Sequence, residues 1–264
     1  MPALVLLVLL AASDGGVSEC GGVPCETFAS AKPAFEKVLQ SKPKVLGIGE
    51  YHEVGKQKVA SALKRFTLEL LPSMKGTGAM VAETWITNGK CGEVEKQATA
   101  EVKKVTKRPE TTEDELTTML DRSYKLGLKN HVLNLSCDEY KGMLDEQGEL
   151  DAEKSLLLVK RKVEEKVRDS LEKGEVPVAL YGGAIHNDLY PVAGEEQYAF
   201  GRALQSVTDG GYAELDLLVP QFVEGDDDLV KEPWFAPAMA LAKKGRVVLV
   251  EPHPHSFMLL FSSK

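Results

Sequence analysis

Lys44-Val45-Leu46-Gly47-Ile48-Gly49-Glu50-Tyr51-His52 is the stretch from which the rest of the chain can be read. Lys44 to Gly49 fits a short buried strand, because its apolar residues are interrupted only by glycine. It then breaks into an acid, an aromatic residue and a histidine. Neighbouring stretches repeat the theme: Gly78–Glu83, His131–Leu135, Val176–Tyr181, Tyr212–Val219, Val247–Val250 and Phe257–Phe261 all read as strands.

Helical patterns separate these strands. Val54–Leu71 places Val59, Leu63, Phe66 and Leu70 on one face. A helix opens at Thr111, where Thr111 with Asp114 and Thr112 with Glu115 have capping-box spacing. It runs through Leu116, Leu120 and Tyr124 and stops at Gly127. Asp138–Glu149 is polar and reads as a surface loop. Ala152–Lys173 is a long charged helix ending at Gly174. Tyr198–Val207 and Trp234–Lys243 are further helices, with an acidic loop at Glu224–Glu232. Alternation of this kind predicts an α/β fold: a mostly parallel sheet with helices on both faces. The last two strands lie so close together that an antiparallel ending is expected. A length of 264 residues with 43% hydrophobic content suits one large domain.

The N-terminus differs from the rest. Ala3–Ala12 is almost wholly apolar and is followed by Ser13, which is the pattern of a signal peptide over 1–19 preceding a domain over 20–264. The run is too short for a bilayer span, which needs roughly 20 residues. No Lys or Arg precedes it, and a buried N-terminal strand is the alternative. Four cysteines suit two disulfides in an exported protein. Sequence proximity favours Cys20–Cys25 with Cys91–Cys137. Lipidation of Cys20 is disfavoured by Glu19, where a small residue is expected. The expected location is periplasm, cell envelope or outside the cell, with no membrane span in the mature form. A net charge of -8, with 40 acids against 32 bases, argues against nucleic-acid and anionic-membrane partners.

Ligands in open α/β sheets bind beyond the carboxyl ends of strands. Glu50, Tyr51 and His52 stand there after the first strand, and Glu83, Thr84 and Trp85 after the second. Gly182, Gly183, His186 and Asn187 follow the Val176 strand, and Glu251, His253 and His255 the Val247 strand. Four of the five histidines therefore fall at strand ends. Each alone has a structural explanation, such as a helix-capping acid or a hydrogen-bonded histidine, but their concentration predicts one shared polar site. Imidazole with carboxylate suits Zn, Mn, Fe or Co. His52, Glu83, His186 and His253 are the candidate ligands, and Glu50 is a candidate base. A metal-free His–Glu pair is the other reading. There is no G-x-S-x-G, no P-loop and no dinucleotide fingerprint.

Two G-x-x-H motifs, Gly49–His52 and Gly183–His186, with Glu83 at a strand end between them, resemble a superfamily. It comprises ChaN-type haem-binding proteins, erythromycin esterases and Tiki/TraB-type metalloproteases. The resemblance spans roughly Lys44–Pro191. It implies one of two functions. The first is a metal-dependent hydrolase of an ester or peptide bond in a small molecule or peptide, using Glu50, His52, Glu83 and His186. The second is a haem- or iron-binding envelope protein without turnover, with Tyr51, Trp85 and Tyr190 facing the haem. Glu53 stands where the ChaN motif has Asp.

Overall fold

The computed structural model describes residues 16–52, 58–76 and 78–264. Nine strands form one sheet: β1 Gly16–Cys20, β2 Val23–Phe28, β3 Val45–Glu50, β4 Ala79–Trp85, β5 Lys129–Leu133, β6 Val178–Gly183, β7 Tyr212–Leu218, β8 Val247–His253 and β9 Ser256–Leu260. Their order is β1-β2-β8-β9-β7-β3-β6-β4-β5. From β9 to β5 all neighbours are parallel. The β8–β9 hairpin is antiparallel, as its short connection requires. The antiparallel part extends further than the sequence suggested, because β1 and β2 add a second hairpin beside β8.

The helices are α1 Ala31–Leu39, α2 Ala62–Arg65, α3 Glu93–Thr106, α4 Thr111–Lys125, α5 Cys137–Gly142, α6 Ala152–Glu172, α7 Ala184–Asn187, α8 Gly201–Val207, α9 Pro220–Val223 and α10 Phe235–Lys243. Strand alternation sends Leu46 and Ile48 to one face of the sheet, with Phe35 of α1, Phe66 and Met119 of α4. Val45 and Leu180 face the other way, onto Val163 and Val167 of α6 and Leu204 of α8. Val163 and Val167 sit four apart on α6, so one stripe is buried while charges stay outside. Both faces are thus covered, and all six residues of β3 are buried at the centre.

Several local expectations are corrected. Val54–Leu71 is not one helix: Ser61 caps a start at Ala62, where its side chain accepts the Lys64 N–H at 2.9 Å. The segment then passes through a π turn at Phe66–Leu70 and a 3-10 turn at Leu71–Met74. Residues 53–57 lie outside the described residues. Thr111 does not cap α4; Glu110 stands at the N-cap without a side-chain bond. Asp138–Glu149 is not all loop, since the Ser136–Glu139 capping box starts α5. β8 continues past Val250 and includes His253, so this histidine is inside a strand. Helices α1 and α3 were not anticipated.

Both expected disulfides form, Cys20–Cys25 and Cys91–Cys137. Residues 1–15 of the expected leader lie outside the described residues, while Gly16–Glu19 belong to β1. Among the described residues no helix is long and apolar enough to cross a membrane.

Candidate functional site

The parallel strands β3, β6 and β4 end together, and their ends carry the site. Glu50 closes β3 and is 8% exposed. Its Oε2 accepts the Tyr181 hydroxyl at 2.5 Å, and its Oε1 lies 2.9 Å from His52 Nδ1. An ionised carboxylate only accepts, so Nδ1 carries the proton. Arg108, from the loop before α4, sets its Nη2 against the same ring and 3.7 Å from Glu50 Oε1. A guanidinium only donates, so His52 Nε2 carries no proton in the neutral ring and its lone pair accepts from Arg108 Nη2. The two partners therefore select one tautomer, the one a general base needs. Burial works against the charge on Glu50. The hydrogen bond and charge of His52, the charge of Arg108 and the Tyr181 hydroxyl outweigh it, and the pKa of Glu50 lies below the ordinary value.

Glu83 reaches the same place from the other side of β6. The β4–β5 register shifts between Ala82 and Trp85, so Glu83 sits on a bulge that frees it from the ladder. Its Oε2 accepts the Gly183 N–H at 3.1 Å. Gly182 and Gly183 are glycines for a steric reason. A Cβ on Gly182 would meet Glu83 Oε2 at 2.3 Å, and one on Gly183 would come within 3.2 Å of His52 Nε2.

His186 rides on α7 and is 3% exposed. Its Nδ1 donates to the Tyr198 carbonyl at 2.9 Å, leaving Nε2 facing Glu83 Oε1 across 4.0 Å. The short helix is seated on β3 through two more glycines. A Cβ on Gly47 would meet Asn187 Oδ1 at 1.9 Å, and one on Gly49 would meet Asp216 Oδ1 at 2.2 Å and the Ala184 Cα at 2.8 Å. Gly47→Ala should therefore destabilise the protein by about 2–3 kcal/mol as α7 is displaced. Urea unfolding measures this, and an unchanged midpoint would show that the seat tolerates the methyl group.

Glu50 with His52, and Glu83 with His186, stand at neighbouring strand ends and meet through the Gly183 turn. His253, Tyr51 and Tyr190 are placed differently. His253 is exposed, and its ring packs on Tyr190 with centroids 4.7 Å apart. The Tyr190 hydroxyl donates to the Pro254 carbonyl. Tyr51 points to the opposite face from His52 and packs on the cluster around Trp234 and Leu218. The fifth histidine, His131, pairs with Glu175 at 2.7 Å. Among the described residues no three of His, Cys, Asp or Glu are arranged to hold a metal ion. Glu83 and His186 offer two donors, but Arg108 covers the third, His52. A guanidinium in contact with a ligand imidazole opposes a divalent cation.

Arg108 and Tyr181 were missed: one lies in a loop far from the motifs, the other inside an apolar strand. A further group was missed that the sequence did signal. Glu214 and Asp216 stand two apart within β7, all of whose residues are buried. Glu214 Oε2 accepts the Leu189 N–H at 2.7 Å, and Asp216 Oδ1 accepts Asn187 Nδ2 at 3.0 Å. Burial, then repulsion from Asp188, pushes the pKa of Asp216 up to about 8. Burial and the charges of Asp216 and Asp188 push Glu214 well above its usual value. Desolvation also raises Asp188, to about 6.

A small cleft of about 20 Å³ opens on the His52 side, lined by Glu50, His52, Ser61, Arg108, Thr112 and Glu115 among others. A single water needs roughly 10–15 Å³ by the same measure, so the cleft as it stands has room for a water and not for a haem.

No family model and no curated protein matches the chain. Among solved structures, that of the type III effector HopBA1 is similar with a TM-score of 0.46 and 11% identity, over 88% of this chain and 94% of that one. A likeness this weak carries no functional argument.

Proposed function

We propose that the chain is an exported hydrolase that cleaves an ester bond by metal-free general acid–base chemistry, with His52 as the base. The observation that carries this reading is the buried Glu50 carboxylate 2.9 Å from His52 Nδ1, which leaves Nε2 free of a proton beside a solvent-open cleft. Once Arg108 Nη2 moves off Nε2, water taking its place gives its proton to the ring as its oxygen bonds to the carbonyl carbon. Glu50, already ionised, stabilises the imidazolium that forms. When the tetrahedral intermediate collapses, the ester C–O bond breaks and the imidazolium protonates the departing alkoxide. Glu83 accepts the Gly183 N–H and so fixes the turn that leads into the helix carrying His186. Export is supported by the leader-like N-terminus and the two disulfides. The paired G-x-x-H motifs and Glu83 are shared across the superfamily that the sequence resembles, and the Gly-Glu-x-His form of the first is most like its ChaN and esterase branches.

A screen of chromogenic esters tests the proposal. His52→Asn and Glu50→Gln should each lower kcat/KM by roughly 10²-fold or more, the usual scale for removing a general base or its partner. Folding should be retained by circular dichroism. Full activity in both variants would end the reading. Activity that a chelator abolishes and Zn or Mn restores would replace it with the metal-dependent alternative, for which Glu83 and His186 supply two donors.

A further inference from the structure

Arg108 is underused by the protein around it. Its guanidinium carries five N–H donors. Among the described residues its one hydrogen bond is from Nη2 to the bare Nε2 of His52, and its ion pair with Glu50 is long, at 3.7 Å. Among the described residues its buried Nε has no partner. The two imidazole nitrogens point away from each other, so one Nη2 cannot bond both in the ring plane. A guanidinium with spare donors, set against a base in the wall of a cleft, is poised for another acceptor.

The remaining charges narrow what that acceptor is. Glu50 is already engaged by Tyr181 and His52. Glu115, the other acid lining the cleft, accepts the Ser61 hydroxyl. Among the described residues Glu115 makes no ion pair with Arg108, and Glu50 makes only the long one. A planar or tetrahedral oxyanion matches the guanidinium fork, because it takes two parallel N–H bonds. Thr112 adds a hydroxyl to the same wall.

We propose that Arg108 is the anchor for an oxyanion of the substrate, a carboxylate or a phosphate, and that binding it draws the guanidinium off His52. This rests on the hydrolase reading and deepens it, since it makes the substrate an anionic ester. It also gives the resting contact a consequence: Arg108 blocks Nε2 until the anion arrives, and a ligand lacking the negative group leaves the base covered. The anion is recognised by bidentate geometry as well as charge, so lysine is a poor replacement.

Inorganic phosphate is the probe, titrated into the full disulfide-bonded chain and followed by ring NMR and calorimetry, with His52 assigned from His52→Asn. Phosphate is expected to move the His52 ring resonances saturably and to leave His131, paired with Glu175, unmoved. Arg108→Gln should weaken binding at least tenfold, and Arg108→Lys should weaken it less. The lysine variant also serves if the glutamine variant fails to fold. Acetate in parallel tells a carboxylate site from a phosphate site, and tighter binding of either supports the proposal. No response to either anion, or equal binding in both Arg108 variants, overturns it. The readout needs no turnover. A protein that binds phosphate through Arg108 yet cleaves no ester sustains this inference and ends the hydrolase reading. A protein that cleaves neutral esters and ignores both anions does the reverse.

Discussion

Asp216→Asn is expected to make the protein more stable at pH 9 than the unsubstituted chain, with the advantage vanishing towards pH 4. Asp216 is 4% exposed, beside Glu214 at 0%, and its pKa is pushed up to about 8 from an ordinary 3.8. A folded-state pKa above the unfolded one means that the native state binds the proton more tightly. The stability this gives is complete below about pH 4 and is lost as pH rises towards about 8. At about 1.4 kcal/mol per pH unit, the full loss is on the order of 5 kcal/mol. Asparagine cannot ionise, and its carbonyl can still accept Asn187 Nδ2. It also removes the charge that raises Glu214. Because Asn187 neighbours His186 on α7, alkaline loosening of this cluster should reach the candidate site. Denaturant melts of both proteins at several pH values between 4 and 9 measure the difference. Parallel curves would mean that the buried acids ionise without cost. Glu50 gives the opposite slope, since its lowered pKa makes its contribution present above the ordinary carboxylate range and lost as pH falls through the depressed value.

Breaking Cys91–Cys137 should destabilise the chain far more than breaking Cys20–Cys25. The first bridge spans 46 residues and the second only 5. In the chain-entropy model the cost of freeing the unfolded loop grows with its length, to roughly 4 kcal/mol for the longer bridge and roughly 2 kcal/mol for the shorter. A domain is typically stable by about 5–15 kcal/mol, so the longer bridge alone is a large share. It encloses α3, α4 and β5, and with them Arg108. It also borders the small cluster of Ala98, Tyr140, Met143 and Leu158 rather than the main core, so little else holds that corner. Cys91→Ser with Cys137→Ser should unfold at clearly lower urea than Cys20→Ser with Cys25→Ser. Equal midpoints would mean that the loop retains structure when the chain unfolds. Mass spectrometry of the unreduced protein should find no free thiol.

How far the sequence could be read depended on the range of the interaction. The parallel core was legible because burial on both faces leaves apolar runs in β3 and β6, broken only by glycine, and a mostly apolar β7. The central four of the site were legible too, since strand ends in a parallel sheet converge and Glu50, His52, Glu83 and His186 follow such ends. Helix starts were read less well. The Thr111 pattern looked like a cap and was not, while Ser136–Glu139 was a true capping box hidden in a polar stretch. The hairpin of β1 and β2 escaped because it follows the apolar leader-like segment and borrows its partner, β8, from the far end of the chain.

By itself, then, the sequence determined the α/β class and the set of strand-end residues and favoured one pairing of the cysteines, all from local pattern or from spacing. Only the tertiary structure decided which of those residues lie together. It turned Tyr51 to the opposite face from His52, set His253 against Tyr190, and brought Arg108 from a distant loop onto the His52 ring. These are contacts between side chains remote in sequence, set by which sheet face a residue occupies and which loop crosses it. A linear pattern carries the first only as strand parity and the second not at all.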